Sequence, residues 1–199
     1  MKTVLLLLLL ISSSFALTIN DSLLKIHATL IPKVYLMDYN FKKKLQNKTI
    51  TIAILYEHSE YKSAKSLKDK IAFRYPEGIN SYKIVSKLVP YREVSKSDAN
   101  IFYMFPTSKK IIQNSVKHAE NNNALTFSYN KKDLNYGVMI SLNVAKKIRP
   151  ILNLEAIKLN DIEMRPVLIQ ISQIFTYSLN NLIKTIQKES SNFIQVYSA

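Results

Sequence analysis

Cysteine and tryptophan are missing from this chain, and glycine occurs only twice, at Gly78 and Gly137. The lack of cysteine excludes disulfides, thiolate metal sites, thiol redox sensing and a lipid-modified N-terminal cysteine. Packing alone must hold the fold. Two glycines cannot build a Gly-rich phosphate cradle or the G-x-S-x-G elbow of a serine hydrolase, so covalent catalysis has no support there. Acids are scarce, with 14 Asp and Glu against 28 Lys and Arg. Long apolar runs are lacking too. The stretch Val4 to Ile11 is far shorter than the ~20 residues that span a bilayer.

That run has a meaning of its own. Met1-Lys2-Thr3 precedes it and Ser12-Ser13-Ser14-Phe15-Ala16 follows, with small residues at Ser14 and Ala16, the layout of a secretory signal peptide. Residues 1–16 are expected to be cleaved, leaving a mature chain that starts near Leu17 and works outside the cytoplasm. Discounting Lys2 leaves 27 basic and 14 acidic residues, a net charge of about +13. Outside the cytoplasm such charge suits an anionic membrane surface, an acidic partner or an anionic solute rather than nucleic acid. The lysines are scattered, however, and a merely solvated basic surface explains them as simply.

The 47% of hydrophobic residues is enough for a sizeable core in one domain. Asp21 or Ser22 can cap a first helix with apolar residues near helical spacing (Leu23, Leu24, Ile26, Leu30, Ile31, Val34), which Pro32 should kink or restart. Thr49 to Tyr56, TITIAILY, reads as a strand covered on both faces. A helix from Glu60 to Phe73 follows, then strands at Ser81 to Val89 and Ala99 to Phe105. Thr107 or Ser108 opens a helix to about Asn121, before a strand at Ala124 to Phe127. This order predicts an α/β three-layer sandwich with a mostly parallel central sheet. Gly137 to Val144 and Lys147 to Leu152 then predict a C-terminal β-hairpin turning at Ala145-Lys146. Asn153 caps a short helix, and Pro166 starts a C-terminal helix from Val167 to about Ile183. One domain, 17–183, and a polar tail, 184–199, are expected.

The helix LLKIH with Pro32-Lys33 and Asp38, the strand ITIAIL, Leu125-Thr126-Phe127-Ser128-Tyr129, Gly137 to Leu142, Pro150 to Leu154 and Pro166-Val167-Leu168, in this order and spacing, resemble the YfiR-like periplasmic proteins. The resemblance covers about residues 20–177. It implies a periplasmic α/β domain, often a homodimer, that regulates or senses without being an enzyme, and needs no cofactor. Its implied partner is a membrane-bound signalling protein of the sensor kinase or cyclase type. Disulfide gating, a feature of the family's type member, does not carry over to a chain without cysteine.

Ligands of open α/β sheets bind beyond the carboxyl ends of the strands. That rule selects Glu57 and His58, then Phe105, Pro106 and Thr107, then Ser128 and Tyr129, as a small-molecule cleft. Glu57 beside His58 can relay a proton, although a solvated strand-end loop is the simpler reading. His27 and His118 sit in helical sequence without a His or Glu partner three or four residues away, which argues for packing rather than metal binding. Lys33, Lys42, Lys43, Lys44 and Lys48, near Tyr35, Tyr39 and Phe41 with Asp38 the one acid, form the candidate partner surface, for a protein or an anionic membrane. A lysine-rich helix end accounts for them equally. Arg165 can clasp a carboxylate or phosphate, or pair with Glu163 or Asp161. Two functions remain in view: a regulatory protein acting by contact, and a solute-binding module for a small anionic ligand.

Overall fold

A computed structural model describes residues 19–144 and 147–176. The expected signal peptide, the turn residues Ala145 and Lys146 and the polar tail lie outside that range. Five helices are described: α1 (Asp21–Tyr35), α2 (Tyr61–Arg74), α3 (Lys109–Asn121), α4 (Leu154–Leu159) and α5 (Pro166–Ile171). The strands are β1 (Thr49–Tyr56), β2 (Lys83–Pro90), β3 (Ile101–Met104), β4 (Leu125–Ser128), β5 (Ile140–Val144), β6 (Ile148–Leu152) and β7 (Gln173–Ile174). They form one sheet in the order β2-β1-β3-β4-β5-β6-β7. Only β5 and β6 pair antiparallel, as the predicted hairpin.

The expected sandwich is what the chain builds, because its central strands are apolar on both faces. All four residues of β3 are buried, as are Ile52, Ala53, Ile54 and Leu55 of β1. Alternate side chains therefore feed two separate cores. Ile52, Ile54, Tyr103, Phe105 and Phe127 face α1, α2 and the C-terminal helices. Ala53, Leu55, Phe102 and Met104 face Ile112, Val116 and Ala119 of α3 and the 3-10 turn Tyr91–Lys96. At ~25 cal/mol per Å² of apolar surface, this two-sided burial is the main stabilising term.

Local details depart from the sequence reading in instructive ways. Asn20, not Asp21 or Ser22, caps α1, its side chain accepting from Leu23 N at 3.2 Å. Pro32 does not restart α1, which runs as one helix through it to Tyr35. The last predicted helix is interrupted after Ile171, where Ser172 turns extended and β7 pairs parallel with Ile151 and Leu152; its predicted part 177–183 lies outside the described residues. A free strand edge with unpaired peptide groups outweighed helical spacing there. Asn153 caps α4 as expected and also donates to Leu134 O.

Candidate functional site

The sheet order places the topological switch between β1 and β3, where the chain leaves β1 first for β2 and later for β3. Glu57 and Thr107 meet there, Thr107 Oγ1 donating to Glu57 Oε1 at 2.9 Å. His58 points into an exposed 3-10 turn and forms no hydrogen bond with either, so the acid/base pair does not assemble. At the next strand end, Ser128 Oγ donates to Asp133 Oδ2 at 2.5 Å and accepts from Asn130 N. Burial holds the Asp133 carboxyl above its ordinary range. Tyr129 Oη accepts from Asn20 N at 2.9 Å, which ties the start of α1 across the crevice. Buried Tyr91 donates to Phe105 O. The predicted crevice is thus largely occupied by its own hydrogen bonds.

His27 and His118 are packed, as their sequence context suggested. His27 lies beneath this crevice with its ring against Tyr103, Phe127 and Tyr129, its Nδ1 hydrogen-bonded to Tyr103 Oη at 2.8 Å. Desolvation lowers its pKa to about 3, so it is neutral. His118 Nε2 donates to Ser97 O at 2.8 Å, and its ring meets Phe102 edge-on. No group of three potential metal ligands exists among the described residues. The Ser-x-x-Lys spacing occurs at Ser22 and Lys25, Ser59 and Lys62, and Ser128 and Lys131, but no hydrogen bond joins the two side chains in any of these pairs, and Ser128 donates to Asp133 instead.

The basic segment divides. Tyr35 and Phe41 are buried, leaving Tyr39, 51% exposed, as the one aromatic at the surface. Lys44 is bound to buried Asp38 at 2.9 Å, and Lys43 donates to Asn40 Oδ1. Lys48 stands on a left-handed turn before β1. Lys43 and Lys44 line a small hollow together with Asp98, and Lys33 and Lys42 face another. Arg165 joins them there, its guanidinium 5.0 Å above the Tyr39 ring; this cation–π contact replaces the expected ion pair with Glu163 or Asp161. What places Arg165 is a short antiparallel bridge: Arg165 N donates to Met37 O and Tyr39 N to Glu163 O, both at 2.8 Å.

The resulting hollow, about 590 Å³, lies below the amino end of the sheet, opposite the switch-point crevice. Leu36 and Phe41 form its floor, and no acidic side chain lines it. None of Lys33, Lys42 and Arg165 makes an ion pair among the described residues. Sequence reasoning named all three without joining them, because the bridge between residues 37–39 and 163–165 is long-range. A second groove, about 780 Å³, runs between α1 and α2, rimmed by Lys25, Lys62 and Arg74 and flanked by Phe73, 89% exposed. No described helix is long and apolar enough to cross a membrane.

No protein-family model matches the chain, and no curated protein does. Solved structures match in fold. A conserved domain protein from Vibrio cholerae O1 biovar El Tor superposes with a TM-score of 0.55 at 12% identity, over 77% of this chain and 60% of that one. The ABC domain in complex with L-Trp from Streptococcus pneumonia gives 0.51 at 12% identity, over 74% and 62%. A ligand-free, open substrate-binding protein with adhesive properties from Clostridium difficile gives 0.49 at 14%, over 65% and 55%. The chain spans about 60% of the length of these proteins. An α/β fold is what these similarities establish.

Proposed function

We propose that this chain is a non-enzymatic binding module for a small anionic ligand, acting outside the cytoplasm, in the periplasm. One observation carries the reading: Lys33, Lys42 and Arg165, from three separate segments, converge on a hollow with no acid in its lining. Like charges gathered without a counter-charge repel one another, and an anion relieves that cost. The fold shared with a domain solved with L-Trp supports the reading. The internal pairing of Glu57, Thr107 and Ser128 speaks against catalysis in the crevice. A thermal-shift screen of phosphates, carboxylates and amino acids tests it. A ligand at ~100 times its Kd adds ~2.7 kcal/mol of stability, and that gain should shrink in Lys33→Gln/Arg165→Gln. No shift with any anion refutes it.

The α1–α2 face favours a second reading, a regulatory domain held against a membrane-bound signalling protein. Phe73 lies almost fully in solvent among Lys62, Lys70 and Arg74, the pattern of an interface anchor with a polar rim. The native protein should then sediment with membranes, and Phe73→Ser should release it. A wild-type protein that stays wholly in the soluble fraction rules this reading out.

A further inference from the structure

The cationic hollow is not isolated. A groove of about 640 Å³ adjoins it between α1, β6 and α5, and Lys33 and Met37 line both. Its walls are Leu30 and Val34 of α1, Ile148 and Pro150 of β6, and Val167 and Ile171 of α5. Ile148, Val167 and Ile171 are exposed, and α5 buries only Leu168. Its volume falls within the ~300–1,000 Å³ of ligand sites. The charges near it, Lys33, Lys147 and Arg149, are all positive.

We infer that the two cavities together form one site for an anionic amphiphile with a single acyl chain. The headgroup, carboxylate or phosphate, sits among Lys33, Lys42 and Arg165, and the chain lies along α1 and α5. The inference rests on the anion-binding reading above and extends it. Charge and shape both argue for this occupant. A neutral chain would leave the three cations unpaired, and a bare anion would leave the apolar walls in water. Lys33, which lines both cavities and joins an aliphatic stem to a charged end, suits the junction between head and tail.

Isothermal titration with dodecanoate and dodecyl phosphate, each below its micelle concentration, tests the inference, with acetate, inorganic phosphate and monododecanoyl glycerol as controls. The two long anions should bind at least tenfold tighter than the short ones and than the neutral glyceride, and their ratio identifies the headgroup. Lys42→Gln/Arg165→Gln should weaken both long anions tenfold or more. Ile171→Asn, at an exposed position, should weaken the long anions while sparing the short ones. Short anions binding as tightly as long ones would overturn the amphiphile and leave the anion reading standing. Failure of every anion would overturn both. Equal binding of the neutral glyceride would reduce the groove to a greasy patch and overturn the inference, as would light scattering that shows a dimer undone by Ile171→Asn.

Discussion

His27 is the most consequential single side chain, because burial keeps it neutral in the folded state. Its pKa is lowered from 6.5 to about 3 by desolvation. The unfolded chain therefore binds a proton near pH 6.5 that the folded chain refuses until about pH 3. Stability is complete above pH 6.5 and falls as the pH drops through that window. At ~1.4 kcal/mol per unit, moving from pH 6.5 to 5 should cost about 2 kcal/mol. Urea unfolding at the two pH values measures it. His27→Leu should flatten that part of the curve whatever its absolute stability, and an unchanged slope would mean that the ring is hydrated. Asp38 is the other decisive residue. It is 2% exposed, binds Lys44, and accepts from the backbone N–H groups of Asn40 and Glu163. Asp38→Ala strands a lysine and two amides, so a loss of about 3 kcal/mol is expected in the same assay. A loss below ~1 kcal/mol would mean that water replaces the carboxylate.

Among the elements, the turn before β2 is the one most tightly determined by its residue. Gly78 has φ +80°, and a Cβ there would overlap the Tyr82 carbonyl. Ile79 and Tyr82 exchange backbone hydrogen bonds at 2.9 Å and wall the cationic hollow together with Asn80. Gly78→Ala should therefore cost at least ~2 kcal/mol in thermal unfolding and weaken anion binding with it. An Ala variant with wild-type stability would show that the turn can open. The neighbouring elements mark how far sequence reasoning reaches. TITIAILY and IFYM declare central strands, since unbroken β-branched and aromatic runs have only one stable place in a sheet. Asn153 declares a cap by its chemistry. The strand Gln173–Ile174 carries no such mark: it exists because β6 offers an edge, which is a tertiary fact. The candidate site divides in the same way. Glu57 and Thr107 follow from strand ends and the switch-point rule. Arg165 does not, since its place over Tyr39 depends on a bridge between segments more than 120 residues apart.

At the scale of the whole molecule, the excess of positive charge is an energetic term as well as a binding device. The chain carries +14, and among the described residues few of its lysines are in ion pairs. Repulsion between such charges destabilises the compact state, and salt screens it. Raising NaCl from 10 to 150 mM shortens the Debye length from ~30 to ~8 Å. Stability should rise by about 1 kcal/mol, or ~2–4 °C in Tm. A Tm independent of salt would mean that the lysines are too dispersed to repel. The hollow gives this effect a local source, because Lys33, Lys42 and Arg165 line it together with buried Leu36 and Phe41 and no acid. Replacing all three by Gln should raise Tm at 10 mM NaCl and leave it near the wild-type value at 150 mM. The difference between the two curves measures the repulsion that an anionic ligand would relieve. A triple variant no more stable than wild type at low salt would show that the three charges are already solvated apart, and the hollow would lose its electrostatic claim on an anion.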